Sequence, residues 1–278
     1  MPDLVTIIMS GFFIRALIAS FLISILSGLV GSITVFRGQT FLTAGVAHSA
    51  MAGAALGIFL NLYRYVAGVD PLFIATIFSV IIAIFVGYIA EKGETEKLEI
   101  AIGVAFGFSM SLAILFISMI REYAIRAWGL IMGDILLLTY QDLLLLVIIS
   151  AVIILINVIT LRELVFISFD FEGATAFGVN TKFYHYLSLV STAIAIVVVM
   201  KGVGAILVYV MLVTPAATAN ELANTASNVV VLAFLIALAS SILGLMLSIF
   251  LNLSPSALMG IIVTTIYLVS VLRRKLIS

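Results

Sequence analysis

The sequence contains no cysteine, which excludes disulfides and thiolate metal sites and leaves the compartment open. Charge is nearly as scarce. Asp, Glu, Lys and Arg make up 9% of the 278 residues, where a soluble domain carries roughly a quarter. Thirteen basic side chains balance thirteen acidic ones, so the net charge is zero and no tail suggests nucleic acid. Enzyme signatures are missing too: there is no G-x-x-x-x-G-K-[ST] phosphate loop, no nucleophile elbow, no H-E-x-x-H and no pair of buried carboxylates. The chain is therefore expected not to be an enzyme, and any ATP-driven motion must be powered elsewhere. The start, MPDLVTIIMSGFF, lacks the basic stretch and cleavage site of a signal peptide, so the first apolar segment is expected to persist.

What is present is apolar surface. Hydrophobic residues make up 64% of the chain, which predicts an all-α, polytopic transmembrane helical bundle surrounded by lipid. Apolar windows fall at 13–36, 40–62, 71–91, 99–120, 141–162, 184–200, 203–220, 228–251 and 255–273. That gives nine spans, or eight if 184–220 is one unit bent around Lys201–Gly204, in a single transmembrane domain over residues 1–278. The 203–220 window is short and holds Pro215, so irregular backbone is expected beside it. Orientation follows from the cations. With the loops after spans one, three, five and nine inside, Arg37, Lys92, Lys97, Arg162, Lys182, Arg273, Arg274 and Lys275 are cytoplasmic. Arg15, Arg64, Arg121, Arg126 and Lys201 then lie outside, and so does the N-terminus.

Two loops exceed a turn. EKGETEKLE, residues 91–99, reads as a solvated charged connection. Residues 161–182, LRELVFISFDFEGATAFGVNTK, read either as a plain connection or as a short surface helix that docks a cytoplasmic partner. Small residues mark packing seams: Ser20, Ser24, Ser27, Gly28 and Gly31 in the first span, Gly103 and Gly107 in the fourth, and Ser240, Gly244 and Ser248 in the eighth.

The chemistry concentrates in FLTAGVAHSAMAGAALGIFL, residues 41–60. His48 lies inside an apolar span, where an ionisable side chain marks a functional site by default. Gly53 and Gly57 beyond it form a G-x-x-x-G that admits a neighbouring helix closely. His48 is either a neutral imidazole bonded to a neighbouring helix or a metal ligand, since imidazole suits zinc, manganese and iron. One histidine binds a metal poorly, and pairing the helix across a two-fold axis supplies a second. The other histidine, His185, opens a span beside Tyr184 and Tyr186 and reads as an interfacial anchor.

Four stretches in order resemble the membrane permeases of ABC-type zinc, manganese and iron importers. They are GLVGSITVFRGQTFLTAGVAHSAMAGAALG (28–57), MGDILLLTYQDL (132–143), DFEGATAFGV (170–179) and KGVGAILVYVMLVTPAATANELANT (201–225). The resemblance implies a homodimer of permeases on cytoplasmic ATP-binding-cassette ATPases, fed by an extracytoplasmic metal-binding protein. It implies a multi-pass protein of the plasma or inner membrane, working by alternating access. The divalent metal is then cargo, with no permanently bound cofactor. It implies that a coupling segment at about 163–182, with Asp170, Glu172, Ala174 and Gly178, meets the ATPase. His48 becomes a path-lining ligand, joined in the family by an aspartate four residues earlier. Glu99 matches an acidic position of the family and is a second candidate ligand or a helix cap. Gly53, Gly57, Gly204 and Pro215 are expected to shape packing beside the path.

The sequence departs from the family at one place: Ala44 stands four residues before His48. Two imidazoles lack the charge neutralisation that two carboxylates give a divalent cation. Three consequences stay open: weak binding through His48 and water, a substitute group, or a different cargo. The alternatives to a metal importer are an ABC-type permease for a metal chelate or another small solute, and an ion-coupled secondary transporter.

Overall fold

In hydrocarbon a backbone must satisfy its own hydrogen bonds, and the windows above resolve into helices. A computed structural model describes residues 9–63, 68–89, 95–120, 133 and 135–277. Among them there are helices and turns and no strand. The long elements are α1 (Gly11–Phe36), α2 (Thr40–Leu62), α3 (Pro71–Ile89), α4 (Thr95–Met119) and α5 (Tyr140–Ile159). Two short helices follow, α6 (Leu161–Phe169) and α7 (Phe171–Ala176). Then come α8 (Thr181–Val203), α9 (Val208–Leu222), α10 (Ala226–Leu251) and α11 (Pro255–Ile277). Eight of these are long and apolar enough to cross a membrane.

Contacts between helix ends sort the chain into two faces. On one, Arg37 at the end of α1 bonds His185 near the start of α8, whose ring reaches the Gly87 carbonyl near the end of α3. Glu221 of α9 pairs with Arg274 of α11 on this same face. On the other, Arg15 donates to the Leu138 carbonyl at 2.7 Å, and Lys201 meets Asp142 at 2.7 Å. The 15-residue α9 (Val208–Leu222) follows Gly204 on the Lys201 face and ends beside Glu221 on the Arg37 face. At about 22 Å it is shorter than a bilayer core of about 30 Å. A non-helical turn at Gly204–Leu207 precedes it, and α9 is not among the eight helices long and apolar enough to cross. The expected break is thus real, and it falls before the short helix, whose Pro215 is buried inside it. Of the charged 91–99 connection, residues 91–94 lie outside the described residues, as do Arg64, Arg121, Arg126, Met132 and Asp134, and residues 95–99 already form the start of α4 rather than a loop.

Burial separates inner from outer helices. α1, α2 and α8 are largely enclosed, whereas α5 turns Leu144, Ile148, Val152 and Leu155 outward as a lipid-facing stripe. The small-residue seams explain the close centre. A Cβ on Gly28 would meet the Val230 carbonyl at 2.9 Å, and one on Gly244 would meet the Met259 nitrogen at 2.8 Å. The fourth-span seam differs from expectation: Gly103 and Gly107 face outward, with nothing within 4 Å of an added Cβ. Spacing alone cannot tell a seam inside the chain from an outward face, because both repeat every fourth residue.

Candidate functional site

His48 is the ninth residue of α2, roughly 12 Å along its axis from the first. Its Nδ1 lies 2.8 Å from the Ala44 carbonyl oxygen. That oxygen has no proton, so Nδ1–H donates, and in the neutral ring the lone pair sits on Nε2. This is the arrangement by which a backbone carbonyl orients a metal-ligating imidazole. The ring also packs on Phe106 of α4, with centroids 4.5 Å apart. The residue is half-buried, and Nε2 has no hydrogen-bond partner among the described residues.

The neighbours do not replace the missing carboxylate within one chain. Thr43 is fully buried and its hydroxyl is unpartnered, but five residues turn it about 140° round the helix from His48. Gly45 presses against Ile102 of α4. Glu99 is exposed on α4, seven residues before Phe106 and so about 10 Å along the helix from the ring. It sits past the first turn of α4, which starts at Thr95, so the capping role does not hold. No group of three or more His, Asp or Glu side chains capable of holding a metal occurs among the described residues. The glycines beyond His48 serve packing. A Cβ on Gly53 would stand 2.7 Å from the Ala75 Cα, and one on Gly57 would stand 2.8 Å from the Pro71 Cα, so α2 and α3 lie in backbone contact.

The 161–182 stretch is two helices lying at the Arg37 face. Asp170 caps α7, its carboxylate accepting from the Gly173 amide at 2.7 Å. α7 ends in paired bonds: the Gly178 amide donates to the Thr175 carbonyl and the Val179 amide to the Ala174 carbonyl, both at 3.0 Å. That ending needs a left-handed residue, and Gly178 supplies φ +81°. Ala174 is fully buried against Ile33, Leu164 and Ile167, which seats α7 on α6 and on the end of α1. Asp170, Phe171, Glu172, Phe177 and Gly178 are all exposed, with Phe177 83% accessible. The result is a seated helix with acidic and aromatic groups directed away from the bundle.

The second and fourth of the quoted stretches meet at the Lys201 face. Gly133 and Gly204, both with positive φ, lie so close that no Cβ fits between them. Thr139 and Asp142 form a capping box that starts α5, and the same Asp142 carboxylate holds Lys201. Sequence reasoning missed this ion pair and placed Lys201 alone, near the outer surface.

His185 departs from the sequence expectation. It is 6% exposed, because Arg37 and the Gly87 carbonyl cover both ring nitrogens inside the bundle. The available signal was its spacing to Ser188 and Thr192, which gives α8 one buried polar stripe.

These features define a multi-pass membrane protein whose long helices enclose a half-buried imidazole and carry a surface helix on one face. Residues 9–274 match the model of the ABC 3 transport family, and the chain belongs to that family. The manganese transport system membrane protein MntC of Listeria monocytogenes is 31% identical over 93% of this chain and 89% of its own length. The high-affinity zinc uptake system membrane protein ZnuB of Haemophilus influenzae is 27% identical over 94% of this chain and 97% of its own. Among solved structures, a chain of PsaBC from Streptococcus pneumoniae in complex with Fab superposes with a TM-score of 0.81. It is 28% identical, covering 94% of this chain and 91% of that one. The protein is thus an ABC transport permease of the cell membrane.

Proposed function

We propose that the chain carries divalent metal ions, manganese or zinc, inward across the cell membrane as one half of a homodimeric permease. The observation that carries this reading is His48: an imidazole inside a span, oriented by a backbone carbonyl with Nε2 left to accept an ion. Relatives named for manganese and zinc transport along nearly the whole chain support it. Two copies bring two Nε2 atoms to one ion, and water completes the shell in place of the carboxylates that Ala44 omits.

The Arg37 face is cytoplasmic in this reading, since eight of the thirteen cations were assigned there. ATP hydrolysis belongs to separate cassette subunits. Their closure moves α7, which presents Asp170, Glu172 and Phe177 to them, and Ala174 carries the movement into α6 and α1. An extracytoplasmic metal-binding protein delivers the ion at the Lys201 face. There the Gly204 break and the Asp142–Lys201 pair let α8 and α9 adjust to the open and closed states.

The test is ATP hydrolysis by the permease–ATPase complex in nanodiscs with its binding protein, across manganese, zinc and iron. Stimulation by manganese or zinc is expected. An intact complex that none of them stimulates would refute a bare divalent cation as cargo and favour a chelate.

A further inference from the structure

A polar knot joins three helices at the Arg37 face. Arg37, the residue after α1, donates to Ser188 Oγ at 2.8 Å and to His185 Nδ1 at 2.5 Å. A guanidinium has no acceptor, so Nδ1 accepts and the imidazole proton sits on Nε2. Nε2 in turn lies 3.3 Å from the Gly87 carbonyl, to which it donates. One ring therefore bridges α1 and α3 from α8. Gly87 is needed for this approach, since an added Cβ would run into Leu189 and come within 3.4 Å of His185 Nε2.

The knot is costly to build. Burial draws the Arg37 guanidinium down from its ordinary value to about 10, still protonated at neutral pH. The partners found for it are a hydroxyl and a neutral imidazole, with no carboxylate among the described residues. Burying a cation on neutral acceptors is unfavourable unless the geometry they fix is needed.

Its place suggests that need. The knot sits in the second and third turns from the α7–α8 junction, where Thr175 and Thr181 hydroxyls also meet at 3.1 Å. From α8 the contact passes to α3 through Gly87, and from α3 to α2 through Gly53 and Gly57, whose backbones touch. A contiguous route thus runs from α7 through α8 and α3 to the helix that bears His48.

Resting on the function proposed above, we propose that Arg37, His185 and Ser188 are positioning residues that pass movement of α7 to the His48 helix. The knot makes the ends of α1, α3 and α8 turn together. Breaking it leaves α7 free to follow the ATPase while α2 stays behind, so ATP is hydrolysed without transport.

The experiment reads ions moved per ATP hydrolysed, using radiolabelled manganese and the intact permease–ATPase complex in proteoliposomes. Arg37→Met and His185→Ala are expected to lower that ratio about tenfold, a typical coupling effect, with hydrolysis and ATPase co-purification kept within about twofold. Arg37→Lys, which keeps one donor, is expected to restore part of the ratio. His185→Asn retains an acceptor where Nδ1 stood but cannot reach Gly87, so it should uncouple nearly as much as His185→Ala. A merely structural pin would lower hydrolysis and uptake together, and an unchanged ratio in these variants would overturn the proposal. If Arg37→Met does not assemble, Ser188→Ala and His185→Asn each remove one bond and decide by the same ratio. Wild-type vesicles that hydrolyse ATP without moving any metal would remove the function reading itself, and this proposal with it.

Discussion

His48→Ala is expected to lower metal uptake by about a hundredfold while the permease–ATPase complex still assembles. The substitution removes the one imidazole oriented into the span and, across a two-fold axis, both protein nitrogens at the ion. Even the groups that only orient a ligand contribute about ten- to a hundredfold to metal affinity, and here no carboxylate shares the load. Assembly should be spared because the ring makes few structural contacts. Its one hydrogen bond goes to its own helix, and its packing partner is Phe106. His48→Gln keeps a polar side chain but a poor ligand, so it should fall with alanine. Uptake within about twofold of wild type in both would take His48 out of the mechanism. A companion change, Ala44→Asp, supplies the carboxylate on the same helix face and is expected to tighten ion binding.

The second large effect is expected from Ala174→Leu, measured as metal-stimulated ATP hydrolysis and as co-purification of the ATPase. Ala174 has no exposed surface and touches Ile33, Leu164 and Ile167, so a leucine must push α7 off its seat. Overpacking of this kind costs about 1–3 kcal/mol, enough to reposition a six-residue helix whose buried seat is Ala174. Of the three neighbours only Ile33, near the end of α1, belongs to a span, so the protein should remain folded in detergent. Stimulated hydrolysis should then fall by about tenfold or more. Normal docking and stimulation would show that α7 is not where the cassette acts. Gly178→Val is milder, because its space is open and only the left-handed φ is strained, by about 1–2 kcal/mol.

The spans were legible in the sequence because lipid leaves a backbone few choices. An apolar window of about twenty residues can only be a helix, and the nine windows fall on nine helices, eight of them long and apolar enough to cross a membrane. The break before α9 was legible as well, through the glycines at 202 and 204 and the shortness of the following window. The limits have definite causes. Helical spacing marks a small-residue face but not what it meets, so Gly53 and Gly57 proved to pack on α3 while Gly103 and Gly107 proved to face outward. A titratable residue at a window edge reads as interfacial, and the burial of His185 depended on Arg37, 148 positions away. The Asp142–Lys201 pair was hidden for the same reason, since its members stand 59 positions apart in the sequence. At His48 the sequence showed the residue and the missing carboxylate. The tautomer came only from the Ala44 carbonyl in the folded helix.

ATP-driven entry of a divalent metal is tested directly by one measurement. The permease and its ATPase are reconstituted in proteoliposomes, with the binding protein and radiolabelled manganese or zinc on its side and ATP on the cassette side. No ion gradient is imposed. The expected result is accumulation of one of the two metals that requires ATP and stops with His48→Ala. Accumulation driven by a proton or sodium gradient alone, with ATP without effect, would contradict it and identify a secondary transporter.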